Sequence, residues 1–144
     1  MSGGDLALAP PLKPQELDQI LALDPAARAE WMLEELARWE QAWGLGNAEG
    51  WVVFELAQAP EGKKPWALPL WPRQELAALA SRGEGEAPLA LPIAELLESL
   101  LPQVAERGWQ LSCCPGADGH GLLLEPLIFQ ANLAEAWDEY QDEA

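Results

Sequence analysis

Two adjacent cysteines and one histidine are the residues of this 144-residue chain best suited to nucleophilic chemistry. Cys113 and Cys114 stand in the run SCCPG, and His120 follows in a glycine-flanked run, DGHG. A Cys–His dyad needs an electropositive setting that lowers the thiol pKa, and this chain carries a net charge of -16. We therefore expect two buried free cysteines, no catalytic residues and no enzymatic activity.

The same residues give little support to a metal or disulfide site. Adjacent side chains of a strand point to opposite faces, so Cys113 and Cys114 cannot readily approach one soft metal ion, and a disulfide between them would be strained. Because the chain has a single histidine and no paired ligand spacing, we expect no metal site and no cofactor. The run PGADGHG lacks the Lys-Ser/Thr ending of a phosphate loop and is typical of a turn.

Four carboxylates recur at helical spacing near the C-terminus: Glu135, Asp138, Glu139 and Asp142. A solvated helix face is the simplest interpretation of this stripe. Carboxylates at the C-terminal end of a helix nevertheless oppose the helix macrodipole, and either a basic partner or a Ca²⁺-like cation would relieve that opposition. The four residues are therefore candidates for binding a basic protein partner.

Eight tryptophans stand against two phenylalanines and one tyrosine. Trp39 and Trp43 are four residues apart in a helical pattern, so we expect them to pack inward. Three tryptophans are candidates for exposure. Trp51 follows a glycine turn, Trp71 ends a strand, and Trp31 lies off the main helical stripe. An exposed tryptophan can anchor a protein partner or line a ligand pocket, and both interpretations stay open.

The charge balance limits the classes of partner. The chain has 24 acidic and 8 basic residues, and the basic residues are scattered along it. Because phosphate binding needs clustered Lys and Arg, we expect no nucleic acid and no anionic membrane as a partner. We find no secretory signal and no apolar run near the ~20 residues of a membrane helix, which favours a cytoplasmic protein. The oligomeric state is left open.

The elements that must position these residues mix helices and strands without a repeated period. Asp24 as cap, Pro25 in the first turn and Gly44 as terminator predict a helix over residues 25–43. Further helices are predicted from Pro14, over 72–83, over 92–101 with a break or kink at Pro102, and over 126–140. Five runs are typical of strands: WVVFEL, WALPLW, GEGEAPLALP, WQLSCC and GLLLEP.

This order of elements predicts an α+β fold, in which a mainly antiparallel sheet of about five strands packs against three to four helices. We expect residues 1–12 to form a mobile arm, residues 13–140 to form one domain, and residues 141–144 to fray.

Several short motifs resemble the bacterial DUF2750 family: WEQAWGL at 39–45, EGW at 49–51, PLWP at 69–72 and GLLLEP before the last helix. The likeness covers roughly residues 27–140. The element order is also similar, more loosely, to the SseB N-terminal domain pattern, which is associated with protein secretion or interaction. Because DUF2750 is a family of unknown function, the resemblance supports the fold and supplies no catalytic residues.

The leading hypothesis is a non-enzymatic cytoplasmic protein-interaction or regulatory module, for example of an immunity type, that meets a basic partner with its acidic surface. The alternative is a small-molecule or peptide binder with a tryptophan-lined pocket.

Overall fold

The computed structural model describes residues 9–56, 65–81, 85–116 and 121–143. Two helices begin the fold, α1 (Pro14–Ala22) and α2 (Pro25–Trp39). The predicted cap of α2 is confirmed, because the Asp24 carboxylate accepts a hydrogen bond from the Ala27 N–H at 2.8 Å. Met32 and Leu36, at the centre of the apolar stripe of α2, are completely buried.

Helix α2 ends earlier than the sequence pattern predicts. Glu40 takes up the left-handed conformation at φ 58°, and its N–H still donates to the Leu36 carbonyl. The Glu40 carbonyl accepts from the Ile93 N–H at 3.0 Å, which fixes the turn. The expected end at Gly44 is therefore wrong, and Trp43 lies in a strand rather than on the helix stripe.

In the described residues, seven short strands form two sheets instead of one sheet of about five strands. The first sheet has the order β2-β1-β5 and is antiparallel, and the second has the order β3-β4-β6-β7, in which β4 and β6 run parallel. The strands are β1 (Gln41–Asn47), β2 (Gly50–Trp51), β3 (Phe54–Glu55), β4 (Trp66–Leu70), β5 (Ala87–Pro92), β6 (Gln110–Cys113) and β7 (Leu122–Leu124). The run WVVFEL is thus divided between the two sheets.

A single backbone bridge joins the sheets where β1 passes the end of β4. The N–H groups of Trp43 and Trp71 each donate to the carbonyl of the other, both at 2.8 Å. Gly44 is next in β1 and lies under the Trp51 ring, which would be 2.6 Å from a Cβ placed there. The glycine predicted to end a helix therefore makes room for an indole.

The remaining helices cover the sheets: α3 (Gln74–Ala80), α4 (Ile93–Glu95), a π-helical turn (Leu96–Leu100), α5 (Leu101–Glu106) and α6 (Pro126–Glu143). The helix predicted over 92–101 continues past Pro102 to Glu106, with a π-helical turn where a break or kink was expected. The π-helical turn directly before Leu101 accommodates the proline, which has no N–H and crowds the carbonyl four residues earlier. Gly108 then follows α5 with φ 76° and reverses the chain.

The α+β fold is confirmed, and its core lies between α2, α6 and the sheets. Phe129 and Leu133 of α6 are completely buried, as the helical spacing predicts. Residues 1–8 of the predicted arm lie outside the described residues, whereas the Pro10 carbonyl accepts a hydrogen bond from Arg73 at 2.6 Å. The end predicted to fray is helical as far as Glu143.

Candidate functional site

The vicinal cysteines are buried and free, as the sequence predicts. The pKa of each thiol is raised from 9.0 to about 12, mainly by removal from water; the neighbouring Cys114 contributes to the rise at Cys113, whereas Arg28 opposes the rise at Cys114. Neither thiol therefore supplies a thiolate near neutral pH. His120, the other member of the conceivable dyad, lies outside the described residues.

The acidic stripe on α6 is exposed, as expected. Glu135, Asp138, Glu139 and Asp142 all face solvent, and the last turn of α6 contains no basic residue. Within the described ranges, no group of three or more His, Cys, Asp or Glu side chains could hold a metal ion. The four carboxylates of the stripe do not form such a group, and binding of a basic partner stays a prediction.

The tryptophans predicted to be exposed have different outcomes. Trp71 is 0% exposed, so its prediction as a surface residue is wrong. Its backbone forms the bridge between the two sheets, and its indole N–H donates to the Pro115 carbonyl at 3.0 Å, which holds the ring in the core. Trp31 and Trp51 are half-buried, with part of each ring at the surface.

A groove of about 380 Å³ lies between α2 and α6. We call it the α2–α6 groove, and it is lined by Trp31, Glu34, Glu35, Ala37, Arg38, Ala136, Glu139 and Tyr140. Two predicted site residues meet here, Trp31 and Glu139, although they are far apart in the chain. The indole N–H of Trp137 donates to the Glu40 carboxylate at 3.0 Å and ties α6 to the end of α2 beside the groove.

Of the charged side chains that line the α2–α6 groove, one forms an ion pair and three are exposed to solvent. Glu35 pairs with Arg73 at 2.9 Å, and their side chains are only 11% and 8% exposed. Glu34, Glu139 and Arg38 are exposed, and Arg38 forms no ion pair with any residue that the structure describes. The groove therefore presents two unpaired carboxylates against one guanidinium and is net negative.

A neighbouring cavity of about 360 Å³ shares Trp31, Glu35 and Arg38 with the groove and extends to α1. The Arg73 guanidinium lies over the Trp39 ring, 5.9 Å from its centroid. The Trp39 indole N–H is buried and donates to no protein atom in the described part of the chain. An unmet buried donor costs about 1–3 kcal/mol, so this N–H lowers the stability of the fold.

A separate cavity of about 230 Å³ opens between β2 and α5. We call it the β2–α5 cavity, and it is lined by Glu49, Gly50, Trp51, Leu68, Leu100, Gln103, Val104, Arg107 and Trp109. Trp51 is the predicted site residue found here. The β2–α5 cavity shares no lining residue with the α2–α6 groove.

Sequence reasoning missed three residues of these surfaces. Tyr140 is 39% exposed at the groove, because helix α6 extends past the core. Arg107 and Trp109 flank Gly108, whose positive φ brings them together with the guanidinium 5.0 Å from the ring centroid. The Arg-Gly-Trp run after an amphipathic helix was the available signal.

The fold and these surfaces define an acidic α+β protein with aromatic-lined cavities and no metal cluster among the described residues. The chain matches the DUF2750 family, whose description is a protein of unknown function, over residues 29–133. It therefore belongs to the DUF2750 family. No curated protein and no solved structure matches it. Among the described helices, none has the length and apolar character needed to cross a membrane.

Proposed function

We propose that this DUF2750 protein is a cytoplasmic, non-enzymatic binding module that holds a basic segment of a protein partner in the α2–α6 groove. The observation that carries the proposal is the meeting of aromatic rings and unpaired carboxylates in one groove: Trp31, Tyr140, Glu34 and Glu139. A regulatory role, including an immunity type, would act through this contact.

The combination suits lysine and arginine side chains. Their aliphatic stems can lie along an indole or phenol face, where the ring attracts the cation, while the charged end meets a carboxylate. The groove volume of about 380 Å³ accommodates a few side chains rather than a folded domain. A short basic segment is therefore the occupant whose shape and charge it fits.

Charge outside the groove supports the same partner. The other three carboxylates of the stripe continue along α6 from Glu139, and the whole chain carries a charge of -16. The negative electrostatic potential of these charges accelerates the approach of a basic partner, and salt screens it. A bound cation near the end of α6 would also relieve the opposition between these carboxylates and the helix macrodipole.

The test is affinity capture from a native lysate with the full chain, compared with Trp31→Ala and with the double variant Glu34→Gln/Glu139→Gln. The matched control is Glu98→Gln, which removes an exposed carboxylate elsewhere. The basic segment of the captured partner is then synthesised and titrated by fluorescence anisotropy. We expect each groove variant to weaken binding about tenfold, and added salt to weaken binding to the wild type.

The control should bind like the wild type. Equal affinity of all four proteins for the segment, or a captured segment that is acidic or uncharged, would contradict the proposal.

A further inference from the structure

The β2–α5 cavity combines an apolar floor with aromatic walls. Its floor consists of Leu68, Val104 and Leu100, which are 1%, 2% and 9% exposed, so these side chains are held rigidly in the core. The half-buried rings of Trp51 and Trp109 form its walls. Gly44 lets the Trp51 ring pack closely on β1, which fixes one wall.

Hydrogen-bond donors without protein partners surround this floor. Arg107 is exposed, lies 5.0 Å from the centroid of the Trp109 ring, and forms no ion pair with a described residue. The indole N–H groups of Trp51 and Trp109 likewise donate to no atom of the described chain, and neither is sealed from solvent. One guanidinium and two indole donors are thus available at one apolar depression.

We propose that the β2–α5 cavity binds a small amphipathic monoanion, namely an aromatic or branched apolar body that carries one carboxylate. The apolar body packs on Leu68 and Val104 between the two indoles, where its removal from water drives binding. The carboxylate accepts hydrogen bonds from Arg107, whose forked donors match its two oxygens. Stacking on Trp109 limits the freedom of the guanidinium and preorganises it for this contact.

Size and charge select against larger anions. The volume of about 230 Å³ is below the ~300–1,000 Å³ of ordinary ligand sites, which excludes a nucleotide. The exposed Glu49 carboxylate at the rim and the net charge of -16 repel a dianion or polyphosphate more strongly than a monoanion. A single carboxylate is therefore the anionic group that this cavity tolerates.

The test is a titration of the ¹⁵N-labelled full chain with 3-phenylpropionate, followed by NMR of the indole N–H signals. Signals of Trp51 and Trp109 are assigned from Trp51→Phe and Trp109→Phe. We expect these two signals to shift in a saturable manner, while that of the buried Trp71 does not move. The neutral isostere 3-phenylpropanamide should bind about tenfold more weakly, because it lacks the charge-assisted hydrogen bonds.

Arg107→Gln should remove the preference for the acid over the amide and leave the other indole signals in place, which shows that the variant is folded. Arg38→Gln removes an exposed guanidinium from the α2–α6 groove and should retain the preference. The proposal is overturned if the wild type shows no saturable shift, if acid and amide bind equally, or if Arg107→Gln keeps the wild-type preference.

Discussion

Arg28 and Arg73 are buried cations whose hydrogen-bond donors hold separate parts of the chain together. Arg28 Nε donates to the Cys114 carbonyl at 3.0 Å and Nη1 to the Leu23 carbonyl at 2.8 Å, which ties the α1–α2 turn to the end of β6. Arg73 bonds Glu35 and the Pro10 carbonyl. These guanidiniums serve the fold, so an anionic ligand must be met by exposed arginines such as Arg107.

The thiols of Cys113 and Cys114 make stability depend on alkaline pH. Burial raises their pKa from 9.0 to about 12, so above pH 9 the unfolded chain loses protons that the folded chain keeps. The unfolded state then binds fewer protons, and the free energy of unfolding falls as pH rises from 9 toward 12. We expect a decrease of about 1 kcal/mol per pH unit for each thiol in this window.

Urea unfolding between pH 8 and pH 11 measures this decrease, with Cys113→Ala/Cys114→Ala as the comparison. Every other ionisable group is common to the two proteins, so its contribution cancels in the difference between the two slopes. The double variant should lose stability more slowly above pH 9. Parallel slopes would show that the thiols do not carry the pH dependence.

Residue types predicted some of the candidate surfaces, and tertiary contacts decided the rest. Trp31 lies off the main stripe of α2, so its partial exposure followed from helical periodicity alone. Trp71 is buried because a strand distant in sequence pairs with its backbone, which no local pattern records. The Glu35–Arg73 pair was not predicted, because its two residues are 38 positions apart and no local pattern connects them.

The sequence predicts the end of a helix correctly where a residue within the same turn caps it. The start of α2 at Pro25 was predicted from Asp24, a residue whose side chain caps within one turn. Its end was not, because Glu40 holds a left-handed conformation that glycine usually supplies, and contacts with Ile93 and Trp137 stabilise it there. Helix ends set by distant contacts are not predictable from local residue types.

Helix α6 carries a charge arrangement that lowers its stability. Its last turns contain carboxylates and no basic residue, opposite to what the macrodipole favours. We expect the melting temperature to rise when the stripe is neutralised by Glu135→Gln, Asp138→Asn, Glu139→Gln and Asp142→Asn together. The matched control neutralises four exposed carboxylates elsewhere: Glu30→Gln, Glu55→Gln, Glu95→Gln and Glu98→Gln.

Both quadruple variants change the net charge by the same amount, from -16 to -16 + 4 = -12, so the relief of general repulsion is matched. Calorimetry should place the α6 variant about 2–4 °C above the control, since only its four charges lie near the C-terminal end of a long helix. An equal rise in the two proteins would show that the macrodipole contributes nothing measurable.

The two proposed binding surfaces lie on different parts of the molecule and share no residue. The α2–α6 groove is net negative and depends on attraction between exposed charges, whereas the β2–α5 cavity gains most of its binding from apolar contact. Added salt should therefore weaken the first interaction much more than the second. Variants of one surface should leave binding at the other unchanged.

The pair of hydrogen bonds between Trp43 and Trp71 links the backbones of the two sheets. We expect this link to make the two sheets unfold together, so that the two amide protons exchange with deuterium only when the whole domain unfolds. Amides at the two-residue strand β2 should exchange sooner, through local opening. Hydrogen exchange measured residue by residue checks this, and equal fast exchange at Trp43 and Trp51 would mean that the halves unfold separately.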